Sequence, residues 1–99
     1  LKKTAEEYQI LEANKQVEVA SASRSFDEAI ASLDRYQKVF EERGLTSLKI
    51  ARVTKRKIKS KWSDGTKTGY ETINSEPIAV CHLENNRFIC KRYNEENTI

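Results

Sequence analysis

The 99-residue sequence has few of the residues on which catalytic and metal sites usually depend. It contains one histidine, two cysteines and three glycines, and no glycine lies in a phosphate-binding spacing. The histidine, His82, adjoins Cys81, but neighbours on a strand point to opposite faces and form no thiol-imidazole dyad. Two cysteines and one histidine fall short of the four ligands of structural zinc unless a carboxylate completes the set. We expect no enzyme activity, no metal and no cofactor.

Methionine and long apolar runs are also absent. Without methionine, the chain is expected to be a processed form or a fragment of a longer protein. No apolar run is long enough for a transmembrane helix or a signal peptide, so membrane contact is expected only through a removed N-terminal segment. The length fits a single domain, 1–99, with a small core, because hydrophobic residues make up only 37% of the chain.

The first 43 residues, which contain neither proline nor glycine, are predicted to be helical. Ser25 begins a capping box and Gly44 supplies a helix end, which predicts an amphipathic helix over 26–43. Its apolar residues recur at helical spacing: Phe26, Ala29, Ile30, Leu33, Tyr36 and Phe40. A second pattern predicts a helix over 3–21, so residues 1–43 form two helices or one long bent helix. A free N-terminal helix would permit oligomerisation.

After Gly44 the pattern alternates, which predicts four antiparallel strands within 46–93 and a polar tail over 94–99. The first two of these strands are predicted to be joined by a three-residue loop, 63–65. Residues 74–77 are predicted to connect the second strand to the third. That loop places three apolar residues on one face: Ile58, Trp62 and Tyr70. Covering this face with the helical segment gives an α+β fold, a two-layer sandwich of helices on a four-stranded antiparallel meander.

Cys81 and Cys90 are predicted to face each other across the last hairpin. If 85–86 is a two-residue turn, the cysteines are directly opposite at a site without hydrogen bonds, where strands approach closely. A disulfide there indicates an oxidising, extracytoplasmic location, whether periplasmic, cell-surface or secreted. The alternative is a cytoplasmic protein in which both thiols are reduced.

Residues 49–61 contain seven basic residues and no acid. Strand alternation puts four lysines on one face about 6.6 Å apart, close to the phosphate spacing of one nucleic-acid strand. With a nearby arginine, they form the candidate binding set: Arg52, Lys55, Lys57, Lys59 and Lys61. Trp62 and Tyr70 are predicted to lie on the opposite face as core residues. The other interpretation is that the lysines only solvate the sheet or protect an edge strand.

These features predict a non-enzymatic protein-interaction or structural module, the soluble extracytoplasmic part of a secreted or membrane-anchored protein or assembly. Its partner would be another protein or an anionic surface. A nucleic-acid-binding protein that uses residues 55–61 is the first alternative. A small enzyme inhibitor that inserts a hairpin tip is the second.

Overall fold

A computed structural model describes residues 4–93 and contains a four-stranded antiparallel sheet with two short helices. The mixed α+β class and the antiparallel sheet are therefore confirmed. Within the described residues, the strands follow the order β1-β2-β3-β4, each paired with its neighbour in sequence. The elements in chain order are β1 (Thr4–Glu12), α1 (Phe26–Arg35), α2 (Gln37–Glu42), β2 (Ser47–Trp62), β3 (Gly65–Glu84) and β4 (Arg87–Arg92).

The predicted helix over 3–21 is wrong. Thr4–Glu12 forms β1, which pairs with β2 along its whole length. Ile10 and Leu11 are both buried, but in separate apolar clusters, as expected for neighbours on a strand. Pairing with β2 satisfies the backbone groups of this segment and buries one residue on each face, Ile10 and Leu11, which overrides its helical spacing. The helix expected to mediate oligomerisation is thus a sheet strand.

The second predicted helix exists but is divided. Ser25 is the N-cap of α1, and its hydroxyl accepts a hydrogen bond from the backbone N–H of Glu28 at 3.1 Å. Glu28 in turn accepts a hydrogen bond from the backbone N–H of Arg24 at 3.0 Å. At Tyr36 the backbone leaves helical geometry (φ −104°, ψ 15°), and α2 begins at the next residue. Gly44, at φ 73°, follows its end, as the sequence predicts.

The main apolar cluster combines residues from both helices with residues from all four strands. Phe40 of α2 is 1% exposed, and its ring meets Phe88 of β4 edge to face at 6.0 Å between centroids. The buried members are Ile10, Ala29, Leu33, Phe40, Leu48, Ile50, Ala79, Cys81 and Phe88. A smaller cluster contains Leu11, Ala51 and Val53. Since Ala51 follows Ile50 on β2, this smaller cluster lies on the opposite face of the sheet.

The predicted connector at 74–77 is wrong, because β3 runs without interruption through it. Its register with β2 shifts twice: Ile50 and Ala51 face Ala79 and Pro77, and Thr54 and Lys55 face Asn74 and Thr72. Ile78 and Ile73 are therefore extra residues, as in β-bulges. Proline has no backbone N–H to donate to a ladder, and Pro77 lies beside the bulge at Ile78. It also lies outside the pairing of β3 with β4, which begins at residue 79.

Of the two predicted hairpin turns, the one at 85–86 is confirmed and the one at 63–65 is wrong. Asn85 and Asn86 have φ of 51° and 65°, which is typical of a two-residue type I′ turn and matches the prediction. The predicted three-residue loop at 63–65 is wrong, because Trp62 pairs with Gly65 and leaves a two-residue turn. From that turn as far as Lys55, every pair is shifted by one residue from the predicted register.

Candidate anion-binding arm

Among residues 4–93, the β2–β3 hairpin continues beyond the other strands as a two-stranded ribbon, residues 57–70, here called the arm. Within the described residues, β1 reaches no further along β2 than Arg56, and β4 pairs with β3 only from Ala79. The remaining six pairs of the ribbon extend about 20 Å at about 3.3 Å per residue. Most arm side chains that the structure describes are exposed. The lysines, threonines and tyrosine of the arm that the structure describes are therefore accessible to a partner.

One face of the arm, here called the lysine face, carries cations from β2 and hydroxyl groups from β3. Directly opposite residues of an antiparallel pair share a face, and the three pairs of this face are Lys57 with Tyr70, Lys59 with Thr68 and Lys61 with Thr66. Tyr70 is 60% exposed. Its predicted place on the face opposite the lysines is wrong, because the shorter turn shifts the register by one residue. The predicted place of the Trp62 side chain lies outside the described part of the structure.

Two members of the predicted binding set, Arg52 and Lys55, are held in ion pairs near the base of the arm. Lys55 Nζ lies 3.1 Å from Glu7 Oε1 on β1. Arg52 donates a hydrogen bond to Glu76, and its Nε lies 3.6 Å from Glu6 Oε2. The hydrogen bond to Glu76 and the charge of that carboxylate raise the pKa of Arg52 above its usual value. These carboxylates neutralise both cations.

The side chains of the other three members, Lys57, Lys59 and Lys61, form no ion pair or hydrogen bond with another residue in the range 4–93. All three are exposed. The adjacent Arg56 does have a partner, since its Nε donates to Glu71 at 2.9 Å. The predicted set is therefore split into a neutralised part at the base of the arm and an available part on the lysine face.

The net charge of the chain is concentrated in the arm. Residues 57–70 contain four lysines and one aspartate, which gives +3, and the rest of the sequence has fourteen basic and fourteen acidic residues. Asp64 and Lys67 of the arm lie 3.9 Å apart as an exposed pair. The remaining +3 of the arm equals the number of available lysines. An anion that approaches at low salt would be attracted mainly to this end of the molecule.

Cys81 and Cys90 lie directly opposite each other on β3 and β4, as the turn predicts. They are free thiols in the structure, with Cys81 buried and Cys90 half-buried. A hydrogen bond between the sulfurs raises the pKa of Cys81, as does burial, and lowers that of Cys90. Cys90, the more accessible of the two thiols, is therefore expected to react first.

His82 is exposed on the opposite face from Cys81, as expected, and its Nδ1 lies 3.2 Å from the hydroxyl oxygen of Ser47. Across residues 4–93, no group of three or more histidine, cysteine, aspartate or glutamate side chains is arranged to hold a metal ion. Among those same residues, no helix is long and apolar enough to cross a lipid bilayer.

A groove of about 570 Å³ lies between residues 19–23 and the two helices. Small side chains such as Ala22 and Ala31 line it, together with Arg35, Tyr36 and Val39. The sequence did not indicate this groove, because a helix was predicted through most of residues 19–23.

Comparison with known proteins gave no match. No family model fits the chain, and no curated protein or solved structure is significantly similar to it. The arm, its charge and its register are thus the basis for a functional assignment.

Proposed function

We propose that this chain is a non-enzymatic binding module that holds nucleic acid on the lysine face of its arm. The observation that carries the proposal is the row Lys57, Lys59 and Lys61, which has no neutralising partner within residues 4–93. Three basic residues of β2 nearer the sheet, Arg52, Lys55 and Arg56, have carboxylate partners. An exposed cation that has no neighbouring carboxylate is suited to binding an anionic partner from solution.

The spacing of the lysines supports a phosphate backbone as that partner. Alternate residues of a strand are about 6.6 Å apart, close to the separation of successive phosphates along one nucleic-acid strand. Lysine binds phosphate as a point charge, and threonine hydroxyls are common additional donors to phosphate and sugar oxygens. Thr66 and Thr68, beside the lysines, are placed to provide such donors.

The test is binding of a fluorescein-labelled 15-nucleotide oligonucleotide, followed by fluorescence anisotropy in 50 mM salt. The arm variant Lys57→Gln/Lys59→Gln/Lys61→Gln is expected to lose roughly tenfold or more in affinity. The control variant Arg24→Gln/Lys38→Gln/Arg43→Gln has the same net charge as the arm variant but keeps the three arm lysines. It should bind like the wild type. Equal losses in both variants, or no binding by the wild type, would contradict the proposal.

A second candidate is an extracytoplasmic protein-interaction module, favoured by the direct opposition of Cys81 and Cys90. A disulfide at this site would cross-link two strands that the apolar cluster already holds together. Rapid alkylation in the source cells, with and without prior reduction, tests this candidate. Thiols that are protected until reduction would support it, and immediate alkylation of both would eliminate it.

For either candidate we propose that α1 and α2 form one layer over the sheet, as in a two-layer sandwich. The support is that Ala29, Leu33 and Phe40 belong to the same buried cluster as residues of the four strands. On β2 the lysines alternate in phase with Ala51 and Val53, which lie on the sheet face opposite the main cluster, so the lysine face points away from the helical layer.

A further inference from the structure

We infer that the arm binds single-stranded nucleic acid in preference to duplex, with Tyr70 stacking on a base. This inference rests on the proposed function and specifies its substrate. It depends on the corrected register of the hairpin, which places Tyr70 directly opposite Lys57 on the lysine face.

Tyr70 has the exposure expected of a stacking platform. Its side chain is 60% exposed, and no other aromatic ring in the described part of the chain packs against it. Tyr36, in contrast, contacts the ring of Phe40 at 6.3 Å between centroids. An aromatic ring left open beside a row of cations is the combination by which proteins hold single strands, with bases on the ring and phosphates on the cations.

The two strands of the arm divide the lysine face into two rows of different chemistry. All the cations come from β2, whereas β3 contributes Thr66, Thr68 and Tyr70. The rows are about 4.8 Å apart, the usual distance between paired strands. The row of lysines on β2 matches the phosphate backbone of one nucleic-acid strand. The row of β3 side chains beside it then lies where the bases of that nucleic-acid strand would point.

A duplex fits this face less well. Its bases are stacked inside the helix, where an exposed tyrosine on a ribbon cannot stack on them without unstacking the duplex. A duplex would therefore gain the phosphate contacts but not the contact with Tyr70.

The experiment compares Tyr70→Leu and Tyr70→Phe with the wild type on a labelled 15-nucleotide thymidine strand and on a mixed-sequence duplex of 15 base pairs. The control is Tyr93→Leu, the same change at another exposed tyrosine, which directly follows β4 and is distant from Tyr70 in sequence. Stacking contributes about 1–3 kcal/mol per base, so Tyr70→Leu should weaken single-strand binding roughly 5- to 160-fold. Tyr70→Phe and Tyr93→Leu should bind like the wild type. Duplex binding should be weaker than single-strand binding and unchanged by all three substitutions.

The outcomes separate this inference from the proposed function. If the triple lysine variant loses binding but Tyr70→Leu does not, the proposed function stands and the stacking role is wrong. Equal wild-type affinity for the strand and the duplex would also overturn the inference. If the wild type binds neither, both proposals fail. Urea unfolding of Tyr70→Leu provides the folding control, since an exposed substitution should change the unfolding free energy by less than about 0.5 kcal/mol.

Discussion

The salt dependence of the affinity for a single strand should give the number of lysines that are available to bind phosphate. For single strands, the logarithm of affinity falls with the logarithm of salt concentration by about 0.7 for each phosphate neutralised. Three available lysines therefore predict a slope of about −2.1, which is a fall of about 18-fold in affinity between 50 and 200 mM salt. If the ion-paired Arg52 and Lys55 also took part, five contacts would give a slope of about −3.5.

Single substitutions make this count specific. Lys57→Gln, Lys59→Gln or Lys61→Gln should each reduce the slope to about −1.4, because one phosphate contact is lost. The matched control is the double variant Lys55→Gln/Glu7→Gln, which removes an existing ion pair without a change in net charge. Its slope should remain at about −2.1, since the Lys55 ammonium already has a partner.

The assay is fluorescence anisotropy of a labelled single strand at five salt concentrations for each variant. Binding isotherms give the affinity at each concentration, and the slope follows from their logarithms. A wild-type slope near −3.5, or a Lys55→Gln/Glu7→Gln slope as shallow as that of Lys59→Gln, would refute the division of the basic residues. Slopes that are unchanged in all three single lysine variants would show that the lysine face does not contact phosphate.

Further predictions concern the parts of the fold that support the arm. Phe40→Ala should lower the free energy of unfolding by about 3–5 kcal/mol in urea titrations, because its ring fills the main cluster, whereas truncation of the half-exposed Val39 should cost far less. Ser25→Ala should cost about 0.5–2 kcal/mol through loss of the helix cap, and an unchanged midpoint would contradict that role. Limiting iodoacetamide should label Cys90 before Cys81, because Cys90 is more accessible and a hydrogen bond lowers its pKa. Tryptic mass mapping separates the two cysteines, and equal labelling would argue against the asymmetry.

The sequence predicted the features that depend on a few adjacent residues. Ser25 begins a helix because a hydroxyl there satisfies a free N–H of the first turn. Asn85 and Asn86 tolerate positive φ, and their turn aligns Cys81 with Cys90. These local requirements do not depend on the rest of the fold.

Features that depend on distant pairing were not predictable in the same way. The segment 4–12 has apolar residues that fit both a helix and a strand, and β2 decides between them from about forty residues away. In the arm, Gly65 fits a two-residue or a three-residue turn, and the difference moves Tyr70 to the other face. The pairing of Lys55 with Glu7 requires β1 beside β2, so the neutralised and available lysines look alike in sequence.

The two extra residues of β3, Ile73 and Ile78, restrict how the length of this protein can change. A single extra residue reverses the face that alternate positions of a strand reach, and a second one restores it. Removal of Ile73 alone would thus force either Tyr70 away from the lysines or Cys81 out of the core, whereas removal of both bulge residues would keep each in place. The same parity applies to the ribbon itself. Two residues inserted into each strand would lengthen the lysine row, and one residue inserted into each would turn it to the other side of the molecule. Among related chains, insertions and deletions in this hairpin are expected in even steps.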